Sequence, residues 1–244
     1  MKEIPAEEYC SYIAEAQSIA FCTVFPTAVA EGIQSGQIYK GRGCTVFRCH
    51  NGFTFVSGVP DSEDTAELHR LITNEGAKLL TDADNLCEAL SAMEGVALFP
   101  RNNYSFPHET VPAINLHDGY TLRSIDAELF DRLTGTVVPS MFWADYEQFS
   151  VNGKGICVMQ GSEPASWAFT SAVSSTETDI GIETAEAHRH RGLAYAAAGA
   201  VIREVLPQRR PVWGCHCSNK GSAHTAEKLG FVRALPCTLI RKAD

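Results

Sequence analysis

The chain has 244 residues, enough for one large domain or two smaller ones, and 45% hydrophobic with 20% charged residues is the balance of an ordinary globular protein. A formal net charge of −9 excludes a general nucleic-acid or anionic-membrane binder, since both need a basic footprint. No run of about 18 apolar residues marks a membrane span. The opening Met-Lys-Glu-Ile-Pro-Ala-Glu-Glu does not read as a signal peptide, and the expected location is the cytoplasm.

Residues 4–20 and 26–34 carry helical patches. Two β-rich runs within 45–56 meet at Asn51-Gly52, the strongest short hairpin signal. Glu63 to about Asn74 reads as an amphipathic helix with an acidic first turn, followed by a short strand at 77–80. Asp82 or Asp84 is placed to cap a helix through Met93, and Val96–Pro100 reads as a strand ended by its proline. Pro107, Pro112 and Gly119 mark residues 107–119 as a linker, so the expected division is 1–118 and 119–244. Beyond it the pattern predicts strand 120–125, helix 126–133, helix 140–149 and an antiparallel pair at 155–160 and 165–173. Strand 178–184, helix 193–206, strand 211–217, helix 222–229 and strand 231–240 complete the chain.

Nine cysteines, an odd number, fit free and mostly buried thiols in a reducing compartment. Cys44, Cys49-His50 and Cys215-His216-Cys217 lie in different halves without a Cys-x-x-Cys pair, so no metal site is expected.

The most informative stretch is 179–194. The apolar run Ile180-Gly181-Ile182 leads into Arg189-His190-Arg191-Gly192-Leu193-Ala194, and an alanine-rich helix follows at once. The first N–H groups of a helix lack intrahelical partners and carry partial positive charge. Gly192 permits close approach of the backbone, and the arginines add donors. A pyrophosphate is the ligand that such a turn suits. Downstream, residues 210–231 hold a strand ending near Asn219, a helix near Ser222 and a closing Glu227-Lys228-Leu229-Gly230-Phe231.

Arg189-x-x-Gly192-x-Ala194, with that second block in register, resembles the acetyl-CoA loop of the GNAT N-acetyltransferases over about residues 120–244. Pro211-x-Trp213-x-Cys215 with Asn219 and Ser222 further resembles the zwittermicin-A-resistance-type branch. The resemblance implies an α+β fold: a C-terminal GNAT domain with a mixed, mostly antiparallel sheet flanked by helices. An α/β N-terminal domain precedes it, with a degenerate copy of the same fold as one reading of that half.

It further implies that amides of His190, Arg191, Gly192, Leu193 and Ala194 bind the pyrophosphate, with Arg189 supporting the loop. The backbone of Ile182, Glu183 and Thr184 would bind pantetheine, with Asn219 and Ser222 beside it. Asn219 has an equally good reading as a helix cap. Transfer to an amine needs a base, and Asp179, Glu177 and Glu183 are the candidates. The tyrosine that protonates the leaving thiolate in many such enzymes is replaced by Ala226, and Ser222 is the substitute donor. His224 reads as a surface residue. Phe142 and Trp143 are candidate acceptor-pocket residues, with the N-terminal half as the opposite wall.

The implied function is transfer of an acetyl group from acetyl-CoA to a primary amine of a small molecule, without a metal, by a monomer or homodimer. An acyl-CoA-binding sensor without turnover, a protein lysine or N-terminal acetyltransferase, and an assembly-only pseudo-enzyme are the alternatives.

Overall fold

Each hairpin and crossover forms where local residues require it. The computed structural model describes residues 1–243. The Asn51-Gly52 turn joins strands β3 (Cys44–Cys49) and β4 (Phe53–Gly58), with Gly52 at φ 84°. Asp61 caps helix α3 (Ser62–Glu75), its carboxylate accepting from the Asp64 N–H at 2.8 Å, and Gly76 ends it in the left-handed conformation. Helix α4 (Asp84–Ser91) departs from expectation: Ala83 is its N-cap, and neither Asp82 nor Asp84 caps it. The N-terminal patch is a 3-10 segment over Ala6–Tyr12 followed by short helices α1 (Ile13–Gln17) and α2 (Val24–Ala30).

In the second half, α5 (Ala127–Arg132) is capped by Asp126. The helix expected over 140–149 is instead a 3-10 turn, Pro139–Met141, and a separate helix α6 (Tyr146–Asn152). Asp145 starts α6 by accepting from the Gln148 N–H at 2.7 Å, and this cap overrides the continuous aromatic pattern. The last predicted strand also divides, into β12 (Val232–Arg233) and β13 (Cys237–Lys242).

Thirteen strands form one sheet. From one edge, β1 (Lys2–Glu3), β2 (Gly36–Lys40), β3 and β4 pair antiparallel, and β5 (Lys78–Thr81) lies parallel to β4. From the other edge, β7 (Thr121–Ser124), β8 (Gly155–Gln160), β9 (Glu163–Val173) and β10 (Glu177–Thr184) pair antiparallel. There β11 (Arg210–His216) lies parallel to β10. Each parallel pair is joined by a helix, α3 in the first half and α7 (Leu193–Val205) in the second.

The two edges meet by exchange. β13, from the end of the chain, pairs with β5, while β6 (Val96–Ser105), from the first half, pairs with β11. β6 and β13 pair with each other at the centre. The strand order is therefore palindromic in type, half against half, with the last strand of each half seated in the other. The 118/119 division falls in the connection between β6 and β7, and the sheet runs across it. β6 also passes its expected end at Pro100. Only residues 101–105 pair with β11, so the missing proline N–H falls outside that ladder.

A second tie crosses the halves. β8 ends its pairing with β9 at Gly155 opposite Phe169, leaving β9 polar groups beyond it. The Gln34 side chain replaces the strand: its amide nitrogen Nε2 donates to Ser171 C=O at 3.1 Å, and its Oε1 accepts from the Val173 N–H at 3.0 Å. No helix among the described residues is long and apolar enough to cross a membrane.

Ile240 of β13 is fully buried against Leu68, Leu79 and Leu90 of the first half. Ile240→Ala is expected to lower stability by about 2–5 kcal/mol. All tryptophans (143, 167 and 213) lie in the second half. Urea unfolding read by tryptophan fluorescence should therefore shift with the far-ultraviolet circular dichroism. A fluorescence midpoint left at its wild-type value would mean that the halves unfold independently.

Candidate active site

Residues that a parallel ladder would normally consume are left open in the second half. β10 and β11 pair at only three positions, Glu177↔Arg210, Thr178↔Pro211 and Asp179↔Val212. β10 then continues to Thr184 and β11 to His216 without pairing to each other. A β-bulge between Asp179 and Ile180 marks the point of departure. Ile182, Glu183 and Thr184 thus line one side of a wedge-shaped opening in the sheet.

The opening leads to the N-terminus of α7. Gly192 caps that helix at φ 71°, and no side chain caps it. The first intrahelical bond runs from Ala196 N–H to Gly192 C=O, so the N–H groups of Leu193, Ala194 and Tyr195 lie ahead of the ladder. His190 adopts φ 63°, a conformation that non-glycine residues seldom hold without a local purpose. Left-handed residues at 190 and 192 aim successive N–H groups inward as an anion-binding nest. Arg189 braces the turn through Thr184 C=O at 3.4 Å. Arg191 donates to the Tyr120 hydroxyl at 3.1 Å, which is 3.0 Å from His188 Nδ1. Tyr120 and His188 went unnoticed in the sequence because they lie 68 positions apart.

The equivalent turn of the first half has the opposite character. Only Val59, Pro60 and Asp61 separate β4 from α3, and the Asp61 carboxylate occupies the helix N-terminus. Asp64, in the first turn, is buried. Burial alone would raise its pKa, but N–H donation from Gly43 and Arg42 outweighs this and holds the carboxyl below its usual range. One carboxylate thus caps the place where an anion would sit, and a second, in the same turn, is tied to the neighbouring 41–43 turn.

The three candidate bases separate clearly. Glu177 is engaged with Arg210 at 2.7 Å. Glu183 does not serve as a free carboxylate, because it accepts from the N–H groups of Thr136 at 2.9 Å and Val137 at 2.7 Å. Asp179 remains. It is 8% exposed at the apex of the opening, and the Ser171 hydroxyl donates to its Oδ2. Burial pushes its pKa up to about 6, against the lowering effects of Ser171 and the Arg101 charge.

Ser171 lines a cleft with Phe25, Gln34 and Asn51 from the first half and Phe142 from the second. Phe142 thus lies on the wall of this cleft. Trp143, the other candidate, does not reach it: it is fully buried, with its indole N–H on Thr170 C=O. Asn219 is a helix cap, its Oδ1 accepting from the Ser222 N–H at 3.1 Å at the start of α8 (Lys220–Leu229). Ser222 Oγ accepts from the Trp213 indole at 3.0 Å and retains its own proton for donation. Ala226 is buried and His224 exposed. Cys215 is buried on β11 and Cys44 on β3, and among the described residues no cluster of three or more His, Cys, Asp or Glu could hold a metal ion.

Residues 16–239 match the GNAT acetyltransferase family. The chain belongs to that family. A stretch of 128 residues is 27% identical to the uncharacterized N-acetyltransferase YdfB of Bacillus subtilis strain 168, spanning 51% of this chain and 49% of that protein. The GCN5-related N-acetyltransferase-like protein of Streptococcus suis 89/1591 superposes with a TM-score of 0.77 at 20% identity, covering 98% of this chain and all of the other. A tandem GNAT protein from the clavulanic acid biosynthesis pathway matches at 0.62 and 11% identity, covering 100% of this chain and 98% of the other. These likenesses establish the mixed fold with a mostly antiparallel sheet along the whole GNAT chain.

Glu183→Ala is expected to lower stability by about 1–3 kcal/mol, because two N–H groups of the 136–137 turn lose their acceptor. Glu183→Gln, which keeps one acceptor oxygen, should lose less. Urea midpoints at neutral pH decide the order.

Proposed function

We propose that the protein is an acetyl-CoA-dependent N-acetyltransferase acting on a primary amine of a small molecule. The observation that carries this reading is the early end of the β10–β11 ladder, directly followed by the uncapped nest at His190–Leu193. The pyrophosphate fits the N–H groups of that nest with Arg189 and Arg191. Pantetheine fits the free backbone edge of Ile182–Thr184, with Ser222 across the opening. The acidic turn of the first half argues for a single cofactor site per chain. The resemblance of 211–222 to the zwittermicin-A-resistance-type branch supports a small-molecule acceptor.

In this reading the amine enters the cleft between Phe142 and the first half. Ser171 and Asp179 take the proton from the ammonium, Ser171 passing it to the carboxylate it already touches. The neutral amine attacks the thioester carbonyl, the C–S bond breaks, and the second proton released by the nitrogen balances the one that CoA takes up to depart as a thiol. Ser222 is the available donor on the leaving-group side. A thiol of pKa about 8.5 leaves with little acid help, so alanine at position 226 is compatible with turnover.

Calorimetric titration tests the reading at two points. Acetyl-CoA should bind with one site per chain, and Gly192→Asp should abolish binding while the protein stays folded, because the side chain puts negative charge in the nest. Two sites, or unchanged affinity in Gly192→Asp, would sink the assignment.

Asp179 makes a second expectation. In the free enzyme kcat/KM should rise as pH climbs through about 6, and Asp179→Asn should remove that limb with at least a hundredfold loss. The same group has a stability signature. Its folded pKa lies above the unfolded value of about 3.9, so folding favours the protonated form. That contribution is complete below pH 4 and is lost as pH rises through about 6, up to about 3 kcal/mol. Urea midpoints at pH 5 and 8 should therefore differ more in the wild type than in Asp179→Asn.

A further inference from the structure

Arg101 has an arrangement that packing alone does not account for. It lies on β6 opposite His216 of β11 and Cys237 of β13. Its guanidinium rests over Gly214: a Cβ added there would meet Nη2 at 3.2 Å. On its other side the Phe53 ring lies 5.4 Å away, and Phe53 packs edge-on against both Phe25 and Phe142 of the cleft. No carboxylate among the described residues is within salt-bridge distance, although the chain carries 29 acidic residues. Nε is buried without any hydrogen-bond partner. A half-buried guanidinium with an orphan buried N–H is costly unless something completes it.

Its neighbours show which way it faces. Val212, Gly214 and His216 alternate with Trp213 and Cys215 along β11, and Trp213 and Cys215 pack beneath α7 and α8. Arg101 therefore shares the opposite face, that of Asp179 and Ser171, and its charge is felt by Asp179. β6 is two strands from β10, about 10 Å across the sheet, and Arg101 lies four residues along β6 from Ser105, the residue level with Asp179, about 13 Å further along the strands, a gap that the long Arg101 side chain partly spans. The wedge between β10 and β11 opens between the two groups. One is a buried acid suited to take a proton from an amine, and the other is a permanent, unsatisfied cation.

We infer that the acceptor amine carries a carboxylate a few bonds from its nitrogen, and that Arg101 binds that carboxylate while Asp179 and Ser171 receive the ammonium. This inference rests on the proposed acetyltransferase function and assigns its substrate class: amino acids or amino-acid-like zwitterions. Gly214 leaves room for the guanidinium, since a Cβ there would press on Nη2. The planar fork suits a carboxylate in two-point contact, which a lysine cannot reproduce.

The test pairs each amine with its neutral twin. The panel is the protein amino acids with β-alanine and γ-aminobutyrate, each beside its carboxamide. Acetyl-CoA is held saturating, and the N-acetyl product is counted by mass spectrometry. The carboxylates should exceed their amides in kcat/KM by at least tenfold. Arg101→Gln should erase that preference, losing about ten- to hundredfold on carboxylates and little on amides, with its acetyl-CoA Kd unchanged. Arg101→Lys should recover only part. A binding arm covers slow turnover: N-acetyl amino acids should bind the CoA-loaded wild type more tightly than N-acetyl amino-acid amides, and lose that advantage in Arg101→Gln. Equal handling of acids and amides by the wild type, a preference that survives Arg101→Gln, or no carboxylate binding to the CoA-loaded protein overturns the inference. Failure of acetyl-CoA to bind the wild type removes the acetyltransferase reading instead, so the two failures are distinct.

Discussion

Six antiparallel residue pairs between β6 and β13 hold the two halves in one sheet, and much of the active-site geometry follows from them. Because β13 comes from the end of the chain and β6 from the middle, neither half can complete its own sheet without the other. A strand left at an edge exposes a row of unpaired N–H and C=O groups, and exchange removes both inner edges at once. It also brings Arg101 and Asn103, residues of the first half, alongside β11 of the second. The same exchange seats Cys237 beside Asn103, whose amide donates to the Cys237 sulfur while Cys22 donates to its oxygen.

The halves share a plan but differ at their crossover turns. Both run antiparallel strands into a parallel pair joined by a helix. The second half spends an extended turn on two left-handed residues and leaves a helix N-terminus uncapped. The first half uses a short turn and fills the same position with the Asp61 carboxylate, with Asp64 bonded to the neighbouring turn. One turn has kept the capacity to take an anion, and the other has converted it into internal hydrogen bonding. In the proposed reading the second half supplies the cofactor site and the first half a wall: α2, Gln34 and the β3–β4 turn border the cleft beside Ser171.

Within the site, burial sets the division of labour among carboxylates. Glu177 is paired with a cation and Glu183 accepts from two backbone donors, so both carboxylates are committed to structural contacts. Asp179 has one hydroxyl and a low-polarity setting, which weakens its charged form and suits it to accept a proton. Sequence put Asp179 first, Glu177 next and Glu183 third without deciding among them, since spacing along a strand says nothing of which neighbours arrive from loops 47 positions away.

The local elements were legible in the residues themselves. Asn51-Gly52 specifies a hairpin, Asp61 and Asp126 start helices, and Gly192 before an alanine-rich run marks a helix N-terminus prepared for an anion, all through short-range backbone chemistry. Asn219, equally readable as a cap, proved to be one because its partner is three residues away. Tertiary structure alone decided the exchange of β6 and β13, the continuation of β6 past Pro100, the burial of Trp143 and the arrival of Arg101 at the opening. Strand partners, and the solvent a side chain is denied, depend on residues more than a hundred positions apart. The sequence determined what each segment is; only the assembled sheet determined which carboxylate is free and which cation is left unpaired.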